Sequence, residues 1–339
     1  MNSENPLIQV SDISKKFTKR ADFAAKLASK IGANVKEEVV HAVDRVSFSI
    51  NKGEVVGLVG ESGCGKSTMG RMIASIIKPT NGDIHFHGQN IAEMTSREAK
   101  KASLKIQMIF QDPLSSLNPR MRIESIIGEA PRVHRLVSRS GFGSFLDDIM
   151  QRCGLDPSFR RRYPHQFSGG QRQRIGIARA LAVSPDLIVC DESVSGLDVS
   201  IQAQILNLFM ELRDQLGLTY LFISHDIGVV EHISDRVMVM YLGRLVEIAD
   251  TANLFSSATH PYTKALLKEV PRLDKRAIDY KPVSGEIPSP LNPPQGCHFH
   301  PRCPNVKDDC RVKVPQLCEI SKNHWVACHD FQSQTQEVK

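Results

Sequence analysis

Short hydrophobic segments recur along the chain as far as residue 250 and predict strands. Apolar and polar residues alternate over residues 7–17 and 39–50, which is the pattern of strands that bury one face. Continuous apolar runs predict strands that are buried on both faces, and these runs lie within residues 55–59, 106–113, 185–192 and 218–226. A turn at Gly243 joins two further predicted strands into a hairpin.

Helical periodicity occupies the spaces between these strands. One helix is predicted to begin at Lys66, and residues 114–166 have the pattern of a helical insertion. A glycine turn within residues 167–183 opens an amphipathic helix, and another helix is predicted from Val199 to Leu216. Strands that alternate with helices predict a mostly parallel α/β sheet, with the functional site at the carboxyl ends of its strands.

The pattern changes beyond His260. Residues 282–304 contain seven prolines, so irregular, extended chain is predicted there. Five of the eight cysteines crowd into the final 43 residues, which is the distribution of a local site. In a reducing compartment such a site favours a bound metal over disulfides.

Composition and charge narrow the class of protein. The 339 residues carry a net charge of +6, which is typical of a solvated surface and disfavours nucleic-acid binding, while an anionic membrane surface or an acidic partner stays open. No apolar run approaches the roughly 18 residues of a spanning helix. Residues 1–20 are polar and lack the apolar region of a secretory signal. We therefore expect a cytosolic protein.

The clearest candidate for chemistry is the glycine-rich turn between the strand at residues 55–59 and the helix that begins at Lys66. The spacing from Gly60 to Gly65, Lys66 and Ser67 is that of a phosphate-binding loop. In such a loop, backbone N–H groups and the helix N-terminus face phosphate oxygens, lysine neutralises charge and the serine hydroxyl can bind Mg²⁺. We therefore predict a nucleotide site, with a chance match as the alternative.

Polar side chains at the ends of three other strands are candidates for the rest of this site. Asp191 fits a carboxylate that holds Mg²⁺, and Glu192 beside it fits a general base for the attacking water. The amide of Gln111 can reach the metal or the water, and His225 can hydrogen-bond the γ-phosphate. Considered singly, these residues also fit a solvated turn and a structural histidine.

A second glycine-rich turn, SGGQ at residues 168–171, also precedes a helix. We call it the signature turn. Its geometry favours an anion by the same physics as the phosphate loop, yet one nucleotide does not need two such sites. A head-to-tail dimer, in which the signature turn closes on nucleotide bound to the partner's phosphate loop, would use both.

Six motifs in this order resemble the nucleotide-binding subunits of ABC transporters: GESGCGKST, Gln111, FSGGQ, LIVCDE, SGLD and His225. The match spans about residues 7–255. The resemblance implies an α/β P-loop NTPase fold of the ABC type, with a RecA-like mostly parallel sheet, an antiparallel β region and a helical subdomain at about 114–166. It implies an ATPase domain over residues 5–255 and a small, irregular, Cys-rich C-terminal extension over residues 256–339.

The resemblance also implies ATP and Mg²⁺ as cofactors and assigns roles to residues. Glu192, His225 and Gln111 are expected to be catalytic, and Ser67, Gln111 and Asp191 are expected to bind Mg²⁺. The aromatic that stacks on adenine is expected to be Phe17. The expected nucleotide-binding residues of the phosphate loop, the signature turn and the D-loop are Gly60, Ser62, Gly63, Cys64, Gly65, Lys66, Ser67, Thr68, Ser168, Gly169, Gly170, Gln171 and Asp198.

Three positions depart from the family pattern. Phe167 stands where leucine is usual, Ser193 follows Glu192 where proline is usual, and Gly196 stands where the D-loop commonly has alanine. The last two flank the expected base and leave the hydrolysis rate open. A catalytically slow partner subunit is therefore one alternative function.

The tail narrows the resemblance. HPYTKALL at residues 260–267, the segment at 284–297 and FHPRCP at 299–304 resemble the C-terminal region of dipeptide and oligopeptide importer ATPases. This resemblance implies ATP hydrolysis coupled to peptide import, at the cytoplasmic face of the inner membrane. The implied partners are a second homologous ATPase subunit in a heterodimer, two transmembrane permease subunits and an extracytoplasmic substrate-binding protein, with no nucleic acid.

Four cysteines of the tail match a pattern that is associated with an iron–sulfur cluster in the dipeptide branch of this family: Cys297, Cys303, Cys310 and Cys328. The resemblance implies a [4Fe–4S] cluster, with structural zinc or free thiols as alternatives. The spacings of five, six and seventeen intervening residues fit neither CxxC zinc pairs nor a ferredoxin run. Cys318 is an extra thiol, and Cys64 and Cys190 are expected to be small packing residues.

Two rival functions remain at this point. A soluble ABC ATPase that acts on nucleic acid or ribosomes typically carries two cassettes, long coiled coils or zinc-finger insertions, whereas this sequence has one cassette and no sustained heptads. A transporter for nickel, glutathione or another small solute would have the same ATPase motifs, because this subunit does not contact the cargo.

Overall fold

A computed structural model describes residues 5–18, 38–268 and 285–332. Its strands are β1 (Ile8–Thr18), β2 (Val39–Ile50), β3 (Val55–Val59), β4 (Asn81–Phe86), β5 (Gln89–Asn90), β6 (Ile106–Ile109), β7 (Leu187–Asp191), β8 (Thr219–Ile223), β9 (Arg236–Tyr241), β10 (Arg244–Asp250), β11 (Cys318–Ser321) and β12 (His324–Val326).

The helices lie between and after these strands. They are α1 (Lys66–Ile73), α2 (Ser96–Lys105), α3 (Pro113–Ser116), α4 (Ile123–Val133), α5 (Phe142–Arg152), α6 (Gly169–Leu181), α7 (Val199–Leu216), α8 (Ile227–Ile233), α9 (Thr251–Ser257), α10 (Pro261–Lys268), α11 (Asp308–Val312) and α12 (His329–Gln332). Short 3₁₀ turns cover Ile91–Glu93, Pro157–Arg161, Pro164–Gln166 and His300–Arg302. None of the described helices combines the length and the apolar composition needed to cross a membrane.

The main sheet has eight strands in the order β11-β12-β10-β9-β3-β8-β7-β6. The neighbours from β9 to β6 run parallel, whereas β10, β12 and β11 are antiparallel additions at one edge. Every residue of β3, β7 and β8 is buried, as continuous apolar strands in a parallel sheet require. This arrangement brings the carboxyl ends of β3, β7 and β8 to one edge.

A second, antiparallel sheet has the order β2-β1-β4-β5. Its alternating strands bury one face through side chains such as Val10 and Ile13. Near the end of β1, Phe17 pairs with Val40 of β2. This register carries an aromatic ring to the side of the phosphate loop.

The predicted helical insertion is present. Within residues 114–166 lie α4, α5 and two 3₁₀ turns, and α6 packs against both helices. Their facing side chains, including Ile127, Met150 and Ile175, are completely buried. The limits of the insertion and of the two predicted domains stay predictions.

Two expectations about strands differ from the structure. Strand β6 ends at Ile109, so Gln111 lies in the loop beyond it. The C-terminal region is not irregular throughout, because β12 pairs with β10 through Ile248 and Trp325. Most of residues 18–40, which the sequence pattern did not assign, lies outside the described residues.

Candidate nucleotide-binding site

The phosphate loop joins the end of β3 to the start of α1. Its glycines are needed because backbone atoms of other segments approach closely: a Cβ on Gly60 would lie 2.1 Å from the Met240 carbonyl oxygen. A Cβ on Gly65 would lie 2.1 Å from the Ala42 carbonyl oxygen, and Gly65 also has a φ of +109°. The loop is thus wedged between β2 and the end of β9.

Lys66 lies inside the loop, with only 4% of the residue exposed. Its Nζ donates to the carbonyl oxygens of Gly60 at 2.7 Å and Glu61 at 3.0 Å. Its third recorded contact is a long one to Cys64 Sγ at 3.9 Å. Because sulfur is a weak acceptor, this donor could turn to a phosphate oxygen.

A cavity of about 400 Å³ lies against the loop. Its lining joins the loop to β1, β2 and the strand ends, through Phe17, Val40, Ala42, Ser62, Gly63, Gly65, Lys66, Ser67, Thr68, Gln111, Glu192 and Pro290. Phe17 is 43% exposed and can offer a ring face to a planar base. Nine of the lining residues were predicted site residues, whereas Val40, Ala42 and Pro290 were not. Four further predicted residues of the phosphate loop and the strand ends lie outside the lining: Gly60, the buried Cys64, Asp191 and His225.

Two of the three residues expected to bind Mg²⁺, Ser67 and Asp191, fit that cation. The Ser67 hydroxyl donates to Asp191 Oδ1 at 2.8 Å, so a hydroxyl and a carboxylate oxygen are adjacent, and both are ligands that Mg²⁺ prefers. Burial raises the pKa of Asp191 above its ordinary value. A bound divalent cation would oppose that effect, because positive charge favours the carboxylate.

Glu192 is held by the two other predicted catalytic residues. Its Oε2 accepts a hydrogen bond from Gln111 Nε2 at 2.7 Å and lies 3.2 Å from His225 Nδ1. The backbone of Glu192 has a φ of +48°, an uncommon conformation for a residue with a side chain. Ser195 stabilises this turn by donating its backbone N–H and its hydroxyl to the Glu192 carbonyl oxygen.

The two departures beside Glu192 have simple structural settings. Gly196 has a φ of +75°, which glycine adopts more easily than the alanine usual there. Ser193 is buried, with 2% of the residue exposed. Neither residue displaces the Glu192 carboxylate from Gln111 and His225.

The signature turn forms the N-terminus of α6, with Ser168 and Gly169 exposed and Gly170 buried. Ser168 and Gln171 make a capping box, in which the Ser168 hydroxyl accepts the Gln171 N–H at 3.3 Å and the Gln171 side chain accepts the Ser168 N–H at 3.1 Å. Ser168, Gly169, Gly170 and Gln171 do not line the cavity at the phosphate loop, and neither does the exposed Asp198. Within this chain the signature turn therefore lies outside the cavity at the phosphate loop, and its Gly169 lines a different cavity together with Gln111 and His225.

Two side chains that hold the phosphate loop were not predicted from the sequence. The Tyr262 hydroxyl accepts the Glu61 N–H at 2.9 Å, and Arg302 pairs with the Glu61 carboxylate at 2.8 Å. Both belong to the HPYTKALL and FHPRCP segments, which had been interpreted only as marks of a family tail. Neither segment carries a pattern that links its tyrosine or arginine to the phosphate loop.

The predicted iron–sulfur cluster is wrong, and so is its zinc alternative. Among the described residues, no group of three or more His, Cys, Asp or Glu side chains could hold a metal ion. Cys297 and Cys303 flank a 3₁₀ turn, Cys310 lies in α11 and Cys328 follows β12, and these segments do not converge their thiols into a ligand set. Burial raises the pKa of both Cys297 and Cys328 to about 11, which leaves them as protonated thiols.

Comparisons with known proteins agree with the geometry. The ABC transporter family profile matches residues 43–195, and the profile of the oligopeptide/dipeptide transporter C-terminal region matches residues 246–310. The oligopeptide transport ATP-binding protein AppF of Bacillus subtilis is 49% identical over 331 residues, covering 96% of this chain and 98% of its own. The dipeptide transport ATP-binding protein DppF of Haemophilus influenzae is 48% identical over 300 residues, covering 88% and 92%.

Solved structures show the same fold. The cbiO1 component of an ABC transporter complex from Clostridium perfringens has a TM-score of 0.62 and 25% identity, covering 75% of this chain and 92% of its own. The ATP-binding cassette MJ0796, solved as a dimer in a post-hydrolysis state with ADP and Pi, has a TM-score of 0.61 and 26% identity, covering 72% and 98%.

Proposed function

This chain belongs to the family of ABC transporter ATP-binding proteins that carry the oligopeptide/dipeptide C-terminal region, and from that premise we propose that it hydrolyses ATP to drive peptide import. The observation that carries the proposal is one cavity that joins the phosphate loop to Phe17, Gln111 and Glu192. Peptide is favoured over nickel or glutathione because the matched relatives named for a cargo are oligopeptide and dipeptide proteins.

The cavity accounts for ATP binding. Phosphates would lie against the backbone of residues 60–65 and the N-terminus of α1, with Lys66 neutralising their charge. The adenine would stack on Phe17, whose ring is already near the cationic Lys15 Nζ at 5.2 Å. Each of these residues remains a proposed ligand.

The hydrolytic step falls to Glu192. Its carboxylate would accept the proton of the attacking water, while the hydrogen bond from Gln111 and the His225 ring 3.2 Å away would orient the carboxylate. Ser67 and Asp191 would hold Mg²⁺, which supplies positive charge against the phosphate oxygens. All of these groups meet at the carboxyl ends of the parallel strands.

The site needs a second ATPase subunit. The signature turn and Asp198 lie outside the cavity of their own chain, so another chain's signature turn would have to cover the nucleotide. The ATP-binding cassette MJ0796, a solved relative, is a dimer, and this supports such a pairing. The heterodimer expected from the family resemblance has no support in the comparisons, and the proposal is confined to a second ATPase subunit of either kind.

The remaining partners follow from transport. We propose that the protein acts peripherally at the cytoplasmic face of the inner membrane, with transmembrane permease subunits and an extracytoplasmic substrate-binding protein. A nucleic-acid partner has no support, since the family profiles matched are those of transporters.

Replacement of the proposed base tests this function. Glu192→Gln keeps the shape of the side chain but loses the proton acceptor, so the ATPase kcat of the assembled transporter should fall by about 10²–10⁴-fold while ATP binding persists. Peptide uptake by a deletion strain should return with the wild-type gene but not with this variant. Glu211→Gln, at an exposed carboxylate on α7, is the matched control and should restore uptake.

Two results would contradict the proposal. An unchanged ATPase rate in Glu192→Gln would remove Glu192 from catalysis. ATPase activity stimulated by DNA or ribosomes, with normal peptide uptake in the deletion strain, would favour the soluble class of ABC ATPase.

A further inference from the structure

A side chain of the C-terminal region holds Glu61, the residue after Gly60 in the phosphate loop. Arg302 NH1 donates to Glu61 Oε2 at 2.8 Å and NH2 donates to Oε1 at 3.0 Å. The Arg302 side chain is only 4% exposed, and its guanidinium also reaches the Tyr241 hydroxyl at 3.4 Å. A two-point arginine–carboxylate pair of this kind fixes direction as well as distance.

The backbone of Glu61 is held from the same region. Its N–H donates to the Tyr262 hydroxyl at 2.9 Å. Tyr262 is completely buried, and its ring lies 4.7 Å from that of Tyr241 and 5.4 Å from that of Phe299, measured between centroids. The acceptor oxygen therefore sits on a rigid aromatic cluster rather than on a mobile side chain.

The third polar group of Glu61 faces the phosphate site. Its carbonyl oxygen accepts a hydrogen bond from Lys66 Nζ at 3.0 Å. One residue thus links the lysine that would neutralise phosphate to two side chains of the C-terminal region. A shift of Glu61 would move an anchor of Lys66.

We propose that Arg302 and Tyr262 are positioning residues of the ATP site, which act through Glu61 to hold the phosphate loop and Lys66 in the phosphate-binding geometry. The inference rests on the proposed function, because it requires the loop to bind ATP. It goes beyond that function by making the C-terminal region part of the nucleotide site.

A purely structural role makes a different prediction, and the chain offers a control for it. Arg236 pairs with Glu54 through the same two-point chemistry, at 2.8 and 3.1 Å, with both side chains largely buried. That pair lies at the opposite end of β3 from the phosphate loop. Loss of either arginine should weaken folding, but only loss of Arg302 should weaken ATP binding.

The test measures ATP affinity and turnover of the full-length protein. Arg302→Gln should raise the Kd for Mg·ATP roughly tenfold, because misplacement of a binding group by about 1 Å is costly. Arg302→Lys keeps the positive charge but loses the two-point pairing, so its Kd should lie between that of Arg302→Gln and that of the wild type. Tyr262→Phe removes one acceptor atom, keeps the ring and should raise Kd several-fold. In the assembled transporter, each change should raise KM for ATP more than it lowers kcat.

A double-variant cycle tests whether Arg302 and Glu61 act on ATP binding through the same contact. Glu61→Gln should raise Kd about as much as Arg302→Gln, and the double variant should bind no more weakly than either single variant, because both act through one contact. Arg236→Gln should lower the unfolding temperature and leave Kd within about twofold of wild type. Thermal unfolding of each variant confirms that the folded protein is being measured.

The outcomes separate the two proposals. If Lys66→Ala abolishes ATP binding while Arg302→Gln and Tyr262→Phe bind like wild type, the positioning role is wrong and the proposed function stands. If Lys66→Ala itself binds ATP normally, the proposed function fails. Should Arg302→Gln not fold, Tyr262→Phe and Glu61→Gln decide the question, and normal affinity in both overturns the inference.

Discussion

The clearance around Gly65 in the phosphate loop is as small as that around Gly60. A Cβ on Gly65 would lie 2.1 Å from a carbonyl oxygen and 2.9 Å from Met240 Cε, so Gly65→Ala must displace the loop or β2. We expect this variant to lose ATP binding and at least about 2 kcal/mol of unfolding free energy.

A matched control separates this clash from backbone strain. Gly53 has a comparable left-handed φ of +75°, and a Cβ there would meet nothing within 4 Å. Gly53→Ala should cost about 1–2 kcal/mol in urea unfolding and leave the Kd for ATP unchanged. Equal effects of the two substitutions on ATP binding would refute the steric argument.

The burial of His260, at the start of the HPYTKALL segment, predicts that the folded protein loses stability in acid. Burial lowers the pKa of His260 from its ordinary range to about 3 in the folded protein. As the pH falls through about 6.5, His260 becomes protonated in the unfolded chain but stays neutral in the folded protein. The free energy of unfolding therefore falls as pH decreases below that value.

Urea unfolding at two pH values measures this effect. Between pH 7 and pH 5, His260 should account for a loss of about 2 kcal/mol in the free energy of unfolding. His260→Gln should reduce the pH dependence by that amount, whatever its stability at pH 7. His165→Gln, at an exposed histidine, should keep the wild-type slope, and an unchanged slope in His260→Gln would contradict the assignment.

At the residue scale, short motifs in the sequence indicated candidate residues. Lys66 and Ser67 follow a glycine-rich turn at the start of a helix, Asp191 ends a strand, and in the structure Ser67 donates to Asp191. The Arg302–Glu61 pair could not be predicted, because it joins residues 241 positions apart and either side chain alone fits a solvated surface. Pairings at that distance depend on the assembled fold.

At the scale of elements, two helices begin with the same device. The signature turn caps α6 with Ser168 and Gln171, and Thr95 and Glu98 form the matching capping box of α2. A capping hydroxyl is worth about 1 kcal/mol to a helix, so Ser168→Ala and Thr95→Ala should lower stability by similar amounts.

The two variants should differ in activity. If the signature turn closes over nucleotide held by a second subunit, Ser168→Ala should lower the ATPase rate of the assembled transporter at least tenfold, with ATP affinity of the separate chain retained. Thr95→Ala should keep wild-type activity. Similar ATPase rates in both variants would reduce Ser168 to a helix cap.

Element prediction succeeded where periodicity was strong. The helix over Val199–Leu216 and the strand over Val55–Val59 have their predicted limits, because each has continuous or periodic apolar positions between clear end signals. Helix α2 was not predicted, since Ala102 is its only buried residue among polar neighbours and leaves no apolar stripe. Strand β12 is too short to show alternation, and its strand conformation depends on pairing with β10 on one side and β11 on the other.

At the scale of the molecule, the C-terminal region shares the core of the ATPase. Phe299 is 2% exposed and packs edge-on against Tyr241 of β9, with 5.2 Å between ring centroids. Phe299→Ala should therefore cost about 3–5 kcal/mol in unfolding free energy and lower the unfolding temperature of both regions together. Val312→Ala, at a side chain 68% exposed, should cost less than about 0.5 kcal/mol.

Differential scanning calorimetry distinguishes the two arrangements. A shared core predicts one unfolding transition in the wild type, shifted as a whole by Phe299→Ala. Two independent transitions, with only the smaller one moved by the substitution, would show that the C-terminal region folds as a separate unit.

The contact between Arg302 and Glu61 can form only after both residues have been synthesised. The phosphate loop leaves the ribosome early, whereas Arg302 is synthesised 241 residues later. Domains generally begin to fold during synthesis, and contacts between distant positions form last. A nascent chain would therefore carry a complete phosphate-loop sequence before Glu61 has its partner, and its affinity for ATP would rise once Arg302 has been synthesised and has packed against the loop.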